Sequence, residues 1–213
     1  MLHQLCDGVF RWTERHGRGE QTYEWNSYAV HIDEAAVMAL IDPLPLTEGA
    51  IREIEGIRTP THILLTCNWH LRESETYRRR WGCEILLNEL GLPEAETELD
   101  GTFQDGDVFW STITAVHLLD VNWKEETAFL VERAEGLLVI GDAVVGGRAD
   151  LGIPHGELGV HPQARIASLR NEAARKTLKG LLTYPFDAIC LGHGTPILEN
   201  AKAALLRFID MCL

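Results

Sequence analysis

The first part of the chain alternates apolar and polar positions in the way that β-strands do. Residues 21–32 alternate aromatic or apolar side chains with polar ones, which predicts a half-buried strand. Residues 35–41 are a continuous apolar run ending at an Asp-Pro pair, which predicts a buried strand stopped by a turn. Residues 47–57 have apolar side chains at helical spacing, so we expect a short helix capped by Thr47.

The middle of the chain predicts a strand, a helix and another strand in succession. Segments 61–66 and 84–88 have the length and composition of short strands, and segment 72–82 between them has the pattern of a helix. This β-α-β order favours parallel pairing of the two strands. Residues 98–118 then predict a run of short strands with a Gly-Asp turn between them.

The last part of the chain predicts a hairpin followed by helices. Segments 127–132 and 137–141 are strand-like and are separated by a Glu-Gly pair that suits a turn. Segment 162–182 repeats apolar side chains at helical spacing, and 187–191 predicts one more short strand. The Thr-Pro pair at 195–196 predicts the cap and first turn of a final helix.

These elements predict one α/β domain that covers residues 1–213. The two halves of the chain are similar in plan, since each supplies strands and then helices. Two sheets packed face to face, with helices outside, would bury every apolar face. A chain of 213 residues is long enough to bury such a core without disulfides.

The composition is that of an ordinary globular protein, with 46% hydrophobic and 24% charged residues. No apolar stretch approaches the roughly 20 residues that a membrane-spanning helix needs. The first residues do not have the pattern of a signal peptide. The five cysteines are widely spaced and form no Cys-x-x-Cys motif, which is typical of reduced thiols and predicts a cytoplasmic protein.

The net charge of −13 argues against nucleic acid as a partner, because an acidic surface repels phosphates. The one dense basic run, Arg78 to Arg80, falls on a predicted helix and is expected to be its solvated face. We therefore expect a small-molecule ligand, and neither a membrane nor a nucleic acid as a partner. The sequence leaves a homo-oligomer open.

Candidate chemistry lies where polar residues directly follow predicted strands. Asp142 follows an apolar strand and a glycine, so its carboxylate could either face a cleft or cap a turn. His193 lies between two glycines just after another strand, a poorly packed position where a ligand or catalytic role competes evenly with a structural one. No motif for a serine nucleophile, a P-loop or a dinucleotide is present.

Together these motifs resemble those of the metallo-β-lactamase superfamily. The resemblance rests on GDAVV at 141–145 and LGHGTPI at 191–197, and on three earlier segments at 26–28, 41–43 and 61–66 that match the family's opening strands in type and order. Their order and spacing extend the resemblance over nearly the whole chain. It implies a four-layer αββα sandwich with a metal cleft along one edge.

The chain departs from the family's main signature, a His-x-His-x-Asp-His run after the third of these strands. Cys67 and Trp69 stand where the first two histidines would be, and Leu71 and Arg72 replace the Asp-His pair. His70 falls on a position that is not usually a ligand. A further family histidine corresponds to Trp123, which lies 19 residues before the Gly-Asp aspartate.

The resemblance therefore implies a depleted metal site. Asp142 and His193 match the family's ligands, and His70 and Cys67 are the candidates to complete the site, since a catalytic zinc needs about three protein ligands and an open position. The site would hold one divalent metal (zinc, iron or manganese), or the protein would have no cofactor. If no metal binds, Arg72 could pair with Asp142 in its place.

The same resemblance suggests which side chains line the cleft. Trp69, Trp123 and Arg72 would fill positions vacated by ligands and are candidates to bind substrate. His155 and His161, on a glycine-rich loop after Asp142, either touch the substrate or are solvated loop residues.

Three functions are consistent with these residues, and none of them identifies a catalytic residue. The first is a hydrolase of a small ester, thioester or amide, with one metal held by Asp142, His193, His70 and Cys67. The second is a non-catalytic relative that binds a small molecule or a protein partner without metal. The third is metal-free thiol or acid–base chemistry by Cys67 and His70, which would require a depressed thiol pKa.

Overall fold

Two β-sheets form the centre of the protein, seen in a computed structural model that describes residues 1–16, 23–94, 97–121, 125–161 and 172–212. The first sheet has seven strands, whose spatial order follows the sequence. They are β1 (His3–Cys6), β2 (Val9–His16), β3 (Tyr23–Ile32), β4 (Val37–Ile41), β5 (His62–Leu64), β6 (Glu84–Asn88) and β7 (Gly101–Phe103). Pairing is antiparallel from β1 to β4 and parallel from β4 to β7.

The second sheet has five strands in the order β12-β11-β10-β9-β8. They are β8 (Val108–Phe109), β9 (Ile113–Leu118), β10 (Glu126–Val131), β11 (Leu137–Ile140) and β12 (Ala188–Leu191). Only β11 and β12 pair in parallel. Four α-helices accompany the sheets in the described ranges: α1 (Glu48–Ile57), α2 (Ser74–Trp81), α3 (Glu172–Leu181) and α4 (Ala201–Cys212).

The alternation of side chains along each strand divides the apolar residues into three layers. In β4, Ala39 and Ile41 belong to the core between the sheets, whereas Met38 and Leu40 belong to the core beneath α1 and α2. The second sheet buries its other face against α3 and α4. The expected four-layer αββα sandwich is confirmed.

Most predicted elements are present. Thr47 caps α1, where its hydroxyl accepts a hydrogen bond of 3.2 Å from the amide of Ala50. The predicted strand 84–88 has the same bounds as β6. Of the predicted helix 162–182, the last part is α3, and residues 162–171 lie outside the described ranges.

The final helix was predicted wrongly at its start. Residues 195–197 are extended, because Thr195 and Ile197 form isolated bridges with Gly147 and Ile189. The helix begins only at Ala201, where the backbone and side chain of Asp187 accept hydrogen bonds from the amides at its start. The hydrogen bonds that cap this helix are therefore accepted by a residue distant in sequence, Asp187, and no pattern in the neighbouring sequence indicates them. Strands β1 and β2 were not predicted either.

No helix in the described ranges is long and apolar enough to cross a membrane.

Replacing Phe129 by alanine should strongly destabilise the protein. This side chain is fully buried between the sheets, with its ring centroid 5.6 Å from that of Phe103. Loss of a buried aromatic ring costs about 3–5 kcal/mol of unfolding free energy. Chemical denaturation would measure the change, with Leu206→Ala as control, since Leu206 is 45% exposed on α4 and should alter stability by under about 0.5 kcal/mol. Equal effects of the two variants would contradict this account of the core.

Candidate metal centre

Four polar side chains meet at one edge of the sandwich because each follows the carboxyl end of a strand. Asp42 follows β4, His70 lies in the loop after β5, Asp142 follows β11 and His193 follows β12. Parallel neighbours such as β4 and β5, or β11 and β12, end at the same edge of their sheet, which is why such residues gather there. All four side chains are buried.

Asp42 is the most heavily hydrogen-bonded of these groups. Its carboxylate accepts from the amide of Thr66 at 2.8 Å, from the Thr66 hydroxyl at 2.6 Å and from Nδ1 of His70 at 2.8 Å. Burial alone would raise the pKa of Asp42, but the charge and hydrogen bond of His70, together with Arg72, outweigh burial and lower it. Asp42 is therefore an ionised anchor for the loop after β5.

His70 reaches the site because residues Asn68–His70 form a single 3₁₀ turn after Cys67. The turn places the imidazole between two carboxylates: Nδ1 faces Asp42, and Nε2 lies 3.3 Å from Oδ1 of Asp142. Since Asp42 orients Nδ1, it is Nε2 that is presented toward Asp142. His70 thus occupies the middle of the site although its place in the sequence is not that of a usual family ligand.

Asp142 is crowded by two imidazoles. Its Oδ1 lies 2.8 Å from Nε2 of His193 and 3.3 Å from Nε2 of His70. Despite these distances, Oδ1 has no well-aligned hydrogen bond, and Nδ1 of His193 is also buried without a hydrogen-bond partner among the described residues. A buried oxygen surrounded by nitrogens that do not donate to it properly is the arrangement that a bound cation would stabilise.

The donor atoms form two overlapping groups that share Asp142. The inner group is Cys67, His70 and Asp142, and the outer group is Asp142, His161 and His193. Within each group the candidate ligand atoms lie within 4.8 Å of one another. Burial lowers the pKa of His193 to about 4 and also lowers the pKa of His161, so both rings are neutral at pH 7 and can offer a lone pair.

Three consecutive residues of β3 hold these loops in place. The Asn26 amide donates to the carbonyl oxygens of Leu191 at 2.9 Å and Gly194 at 2.8 Å, on either side of His193. Ser27 donates to the carbonyl oxygen of Asp42, and Tyr28 donates to that of Leu191 at 2.8 Å. The first sheet therefore positions the loop of the second sheet that carries His193.

A cleft of about 510 Å³ opens over the site, and His70, Asp142, His161 and His193 all contribute to its wall. Three aromatic side chains (Tyr23, Trp25 and Trp69) and two arginines (Arg72 and Arg148) complete most of the lining. Tyr23 and Arg148 also line an adjoining cavity of about 640 Å³, which contains His155. Asp150, which lines the cleft, pairs with Arg148 at 2.7 Å.

The four predicted metal ligands fall into the two donor groups, with Cys67 and His70 in the inner group, His193 in the outer group and Asp142 in both. Of the residues predicted to bind substrate, Trp69 and Arg72 line the cleft, and His155 lines the adjoining cavity. Trp123 lies outside the described residues. The roles of these side chains remain predictions.

The sequence suggested that Arg72 could pair with Asp142, but the two side chains do not pair in the structure. Its Nη1 instead donates to the carbonyl oxygens of Asn26 at 3.0 Å and Asp42 at 2.9 Å, and its guanidinium lies 5.5 Å from the ring of Trp25. Arg72 also has a left-handed backbone with φ of 42°. Its side chain therefore joins β3 to the end of β4 beside the site.

Two residues of the site were not recognised from the sequence, and the position of a third was not foreseen. Asp42 was interpreted only as part of a turn and Trp25 as part of a strand, whereas His161 was considered as a substrate contact or a solvated loop residue but not as a potential metal ligand. The ring of His161 lies 5.0 Å from that of His193, and Trp25 packs edge-on to His193 at 5.4 Å. The only sequence signal for His161 is its place on the glycine-rich loop that follows Asp142.

The sequence matches no family model and no curated protein. Solved structures do match. A metallo-β-lactamase from Pontibacter korlensis has a TM-score of 0.72 at 15% identity, with 99% of each chain covered. A point mutant of a flavo di-iron protein from Thermotoga maritima has a TM-score of 0.73 at 16% identity, and the match covers 100% of this chain but 62% of that one. DIM-1 metallo-β-lactamase has a TM-score of 0.68 at 14% identity, with 97% of each chain covered.

This chain has the metallo-β-lactamase fold. The two metallo-β-lactamases match 97% or more of the chain, and the flavo di-iron protein contains the same fold within a longer chain. The fold predicted from the short motifs at 141–145 and 191–197 is confirmed.

The metal-free protein should lose stability as pH rises above neutrality. Burial and Arg72 act to lower the pKa of His70, but Cys67, Asp42 and Asp142 outweigh them and raise it well above 6.5. The folded protein then holds a proton that the unfolded chain releases, so this stabilisation is complete below pH 6.5 and is lost as pH rises through the raised pKa.

Denaturation of chelator-treated protein at several pH values would measure the effect. Between pH 6.5 and about 8, the unfolding free energy should fall by at most about 1.4 kcal/mol per pH unit. His70→Gln, which retains an amide donor for Asp42, should remove this slope. The same slope in both proteins would show that another group is responsible.

Proposed function

We propose that this protein is a metal-dependent hydrolase that holds one divalent metal with Asp142, His161 and His193. The observation that carries the proposal is the crowding of Oδ1 of Asp142, which lies 2.8 Å from Nε2 of His193 without a well-aligned hydrogen bond. All three side chains line the cleft, so a metal bound to them would be accessible to substrate.

The donor set suits a catalytic metal. Two histidines and one carboxylate, with a position open to the cleft, are ligands used by catalytic zinc and by non-haem iron. Both histidines are buried enough to be neutral at pH 7, which metal binding requires. Zinc, iron and manganese all remain candidates. Such a metal, when bound, polarises a carbonyl oxygen and lowers the pKa of a water to about 7.

The chain's own residues would position these ligands. Trp25 and His161 flank the ring of His193, with centroids 5.4 Å and 5.0 Å away. His70 contacts the carboxylate of Asp142 and is itself held by Asp42. Because every one of these contacts is made before substrate binds, the site is preorganised.

The cleft suits a small acyl substrate. Its volume of about 510 Å³ lies in the usual range for small-molecule sites, and aromatic rings supply much of its lining. We propose a small ester, thioester or amide whose apolar or planar part packs against Tyr23, Trp25 and Trp69. Of the two arginines of the lining, Arg148 is already paired with Asp150, so Arg72 is the one that favours a negatively charged group on the substrate.

One observation favours a second candidate, a non-catalytic relative that binds a small molecule without metal. His70 lies between the carboxylates of Asp42 and Asp142, and its raised pKa makes it an internal cation. With Arg72 close by, the two buried carboxylates would then be balanced by two positive side chains. A protein of this kind would bind ligands in the same cleft and hydrolyse none.

Metal content separates the two candidates. Protein purified without a histidine tag or chelator should contain metal when measured by elemental mass spectrometry, and the Asp142→Ala, His193→Ala double variant should lose it. His155→Ala is the matched control, since His155 lies in the adjoining cavity and its loss should leave the metal in place.

Hydrolysis would then be tested with a panel of small esters and thioesters. The metal-loaded protein should turn over at least one of them, and the double variant should lose at least about a hundredfold in rate, an effect of more than about 2.7 kcal/mol on the barrier. Absence of metal from the wild-type protein, even after incubation with zinc, iron or manganese, would reject the hydrolase and leave the non-catalytic candidate.

A further inference from the structure

A third cavity lies beyond the cleft and its adjoining cavity. It has a volume of about 380 Å³ and shares His155 and Thr195 with the adjoining cavity, which in turn shares Tyr23 and Arg148 with the cleft. The three cavities therefore adjoin one another in series, beginning at the candidate metal centre. A ligand that starts in the cleft reaches the third cavity only if it is elongated.

The wall of the third cavity is mostly apolar. Leu5 of β1 and residues 196–198, which follow β12, supply this apolar lining. Pro196 and Ile197 are buried, whereas Leu198 is 48% exposed. Strands β1 and β12 are the edge strands of their sheets, so the cavity lies at one open side of the sandwich. Such a lining suits an apolar chain.

One cationic side chain, that of Arg11, contributes to this apolar wall. Arg11 follows Val9 by two residues along β2, which places it on the face of the strand that is directed at the second sheet. In the register of the first sheet it is opposite Tyr28. Burial raises the pKa of the Cys190 thiol to about 12, and the charge of Arg11 acts against this shift. The guanidinium is therefore close to β12.

The guanidinium of Arg11 is incompletely paired. Its Nε is buried and has no hydrogen-bond partner among the described residues. Its Nη2 lies 3.9 Å from Oε2 of Glu24, which is too far for a hydrogen bond, and Glu24 also lies 3.6 Å from Nη2 of Arg15. A buried donor without an acceptor is unfavourable, so this group is ready to bind an anion.

We propose that the third cavity binds the far end of an elongated substrate, which is an apolar chain with a terminal carboxylate. The apolar wall would hold the chain, and the guanidinium of Arg11 would bind the carboxylate in a charge-assisted pair. This inference rests on the proposed function, because the other end of the substrate carries the bond that the metal centre would hydrolyse. Glu199, an exposed residue of the same wall, carries the charge that opposes the carboxylate.

Half-esters of linear dicarboxylic acids test this inference. Monophenyl esters of succinate, adipate, suberate and sebacate carry the same reactive bond with a carboxylate at increasing distance, and phenyl alkanoates of matching length lack the charge. Hydrolysis adds water to the acyl carbon and breaks its bond to the phenolic oxygen, which gives phenol, a second carboxylate and a proton. Phenol absorbance would measure the rate. We expect one of the longer half-esters to exceed its neutral counterpart in kcat/KM by about tenfold or more.

Arg11→Met should remove most of this preference for the charged ester. Arg207→Met is the matched control, since Arg207 is exposed on α4 and its loss should leave the preference unchanged. Glu199→Gln changes an exposed position and should strengthen the preference, so it decides the question even if Arg11→Met fails to fold. Equal kcat/KM values for charged and neutral esters of every length, or a preference that neither variant alters, would overturn the inference.

Calorimetry separates failure of this inference from failure of the proposed function, because binding needs no turnover. Metal-free protein should bind octanoate about tenfold or more tightly than octanamide, and Arg11→Met should lose this difference. Hydrolysis of esters that does not depend on Arg11, with no such difference in binding, would overturn the subsite and leave the hydrolase. Binding that depends on Arg11, with hydrolysis of no ester, would support the subsite and reject the hydrolase. Absence of both would reject both.

Discussion

The buried carboxylate of Asp42 is the group through which the rest of the site is connected. Its hydrogen bonds with Thr66 and His70 fix the loop after β5. The main-chain carbonyl oxygen of Asp42 accepts two further hydrogen bonds, from Ser27 and Arg72. Through His70 the same network reaches Asp142, which belongs to the other sheet. Removal of this one anion would leave several buried donors without an acceptor, an expensive state in a low-dielectric interior.

The two sheets contribute different parts of the centre. The first sheet supplies the supporting residues, Asp42 and Asn26, whereas the second supplies Asp142 and His193 on loops that pack closely together. A Cβ atom at position 192 would lie 2.8 Å from the carbonyl oxygen of Gly141, so the glycine before His193 allows the ends of β11 and β12 to approach. The site can exist only where both sheets are correctly packed, which links its geometry to the core around Phe129.

Much of the fold could be predicted from the sequence, because strand alternation and helical spacing are local patterns. The elements that were missed depend on distant partners. The start of α4 is set by Asp187 and by the bridges of Thr195 and Ile197, and none of these interactions is visible in the neighbouring sequence. A prediction from adjacent residues therefore placed the helix several residues too early.

The site was predicted in part for a similar reason. Asp142 and His193 have local signatures, since each follows a buried strand and neighbours a glycine. His70 reaches the centre only because a 3₁₀ turn brings it toward Asp142, and Asp42 is recruited by hydrogen bonds across 24 and 28 residues of sequence. Such relations depend on tertiary packing, so spacing within a motif could not show that His70, and not one of its neighbours, reaches Asp142.

Because Asp142 belongs to both donor groups, a cation bound beside His161 and His193 would draw the shared carboxylate toward itself and away from His70. Protonation of His70 would act on the same carboxylate from the other side. Linkage requires that the two effects on each other be equal in both directions, so metal binding and the protonation of His70 would be coupled through this one side chain.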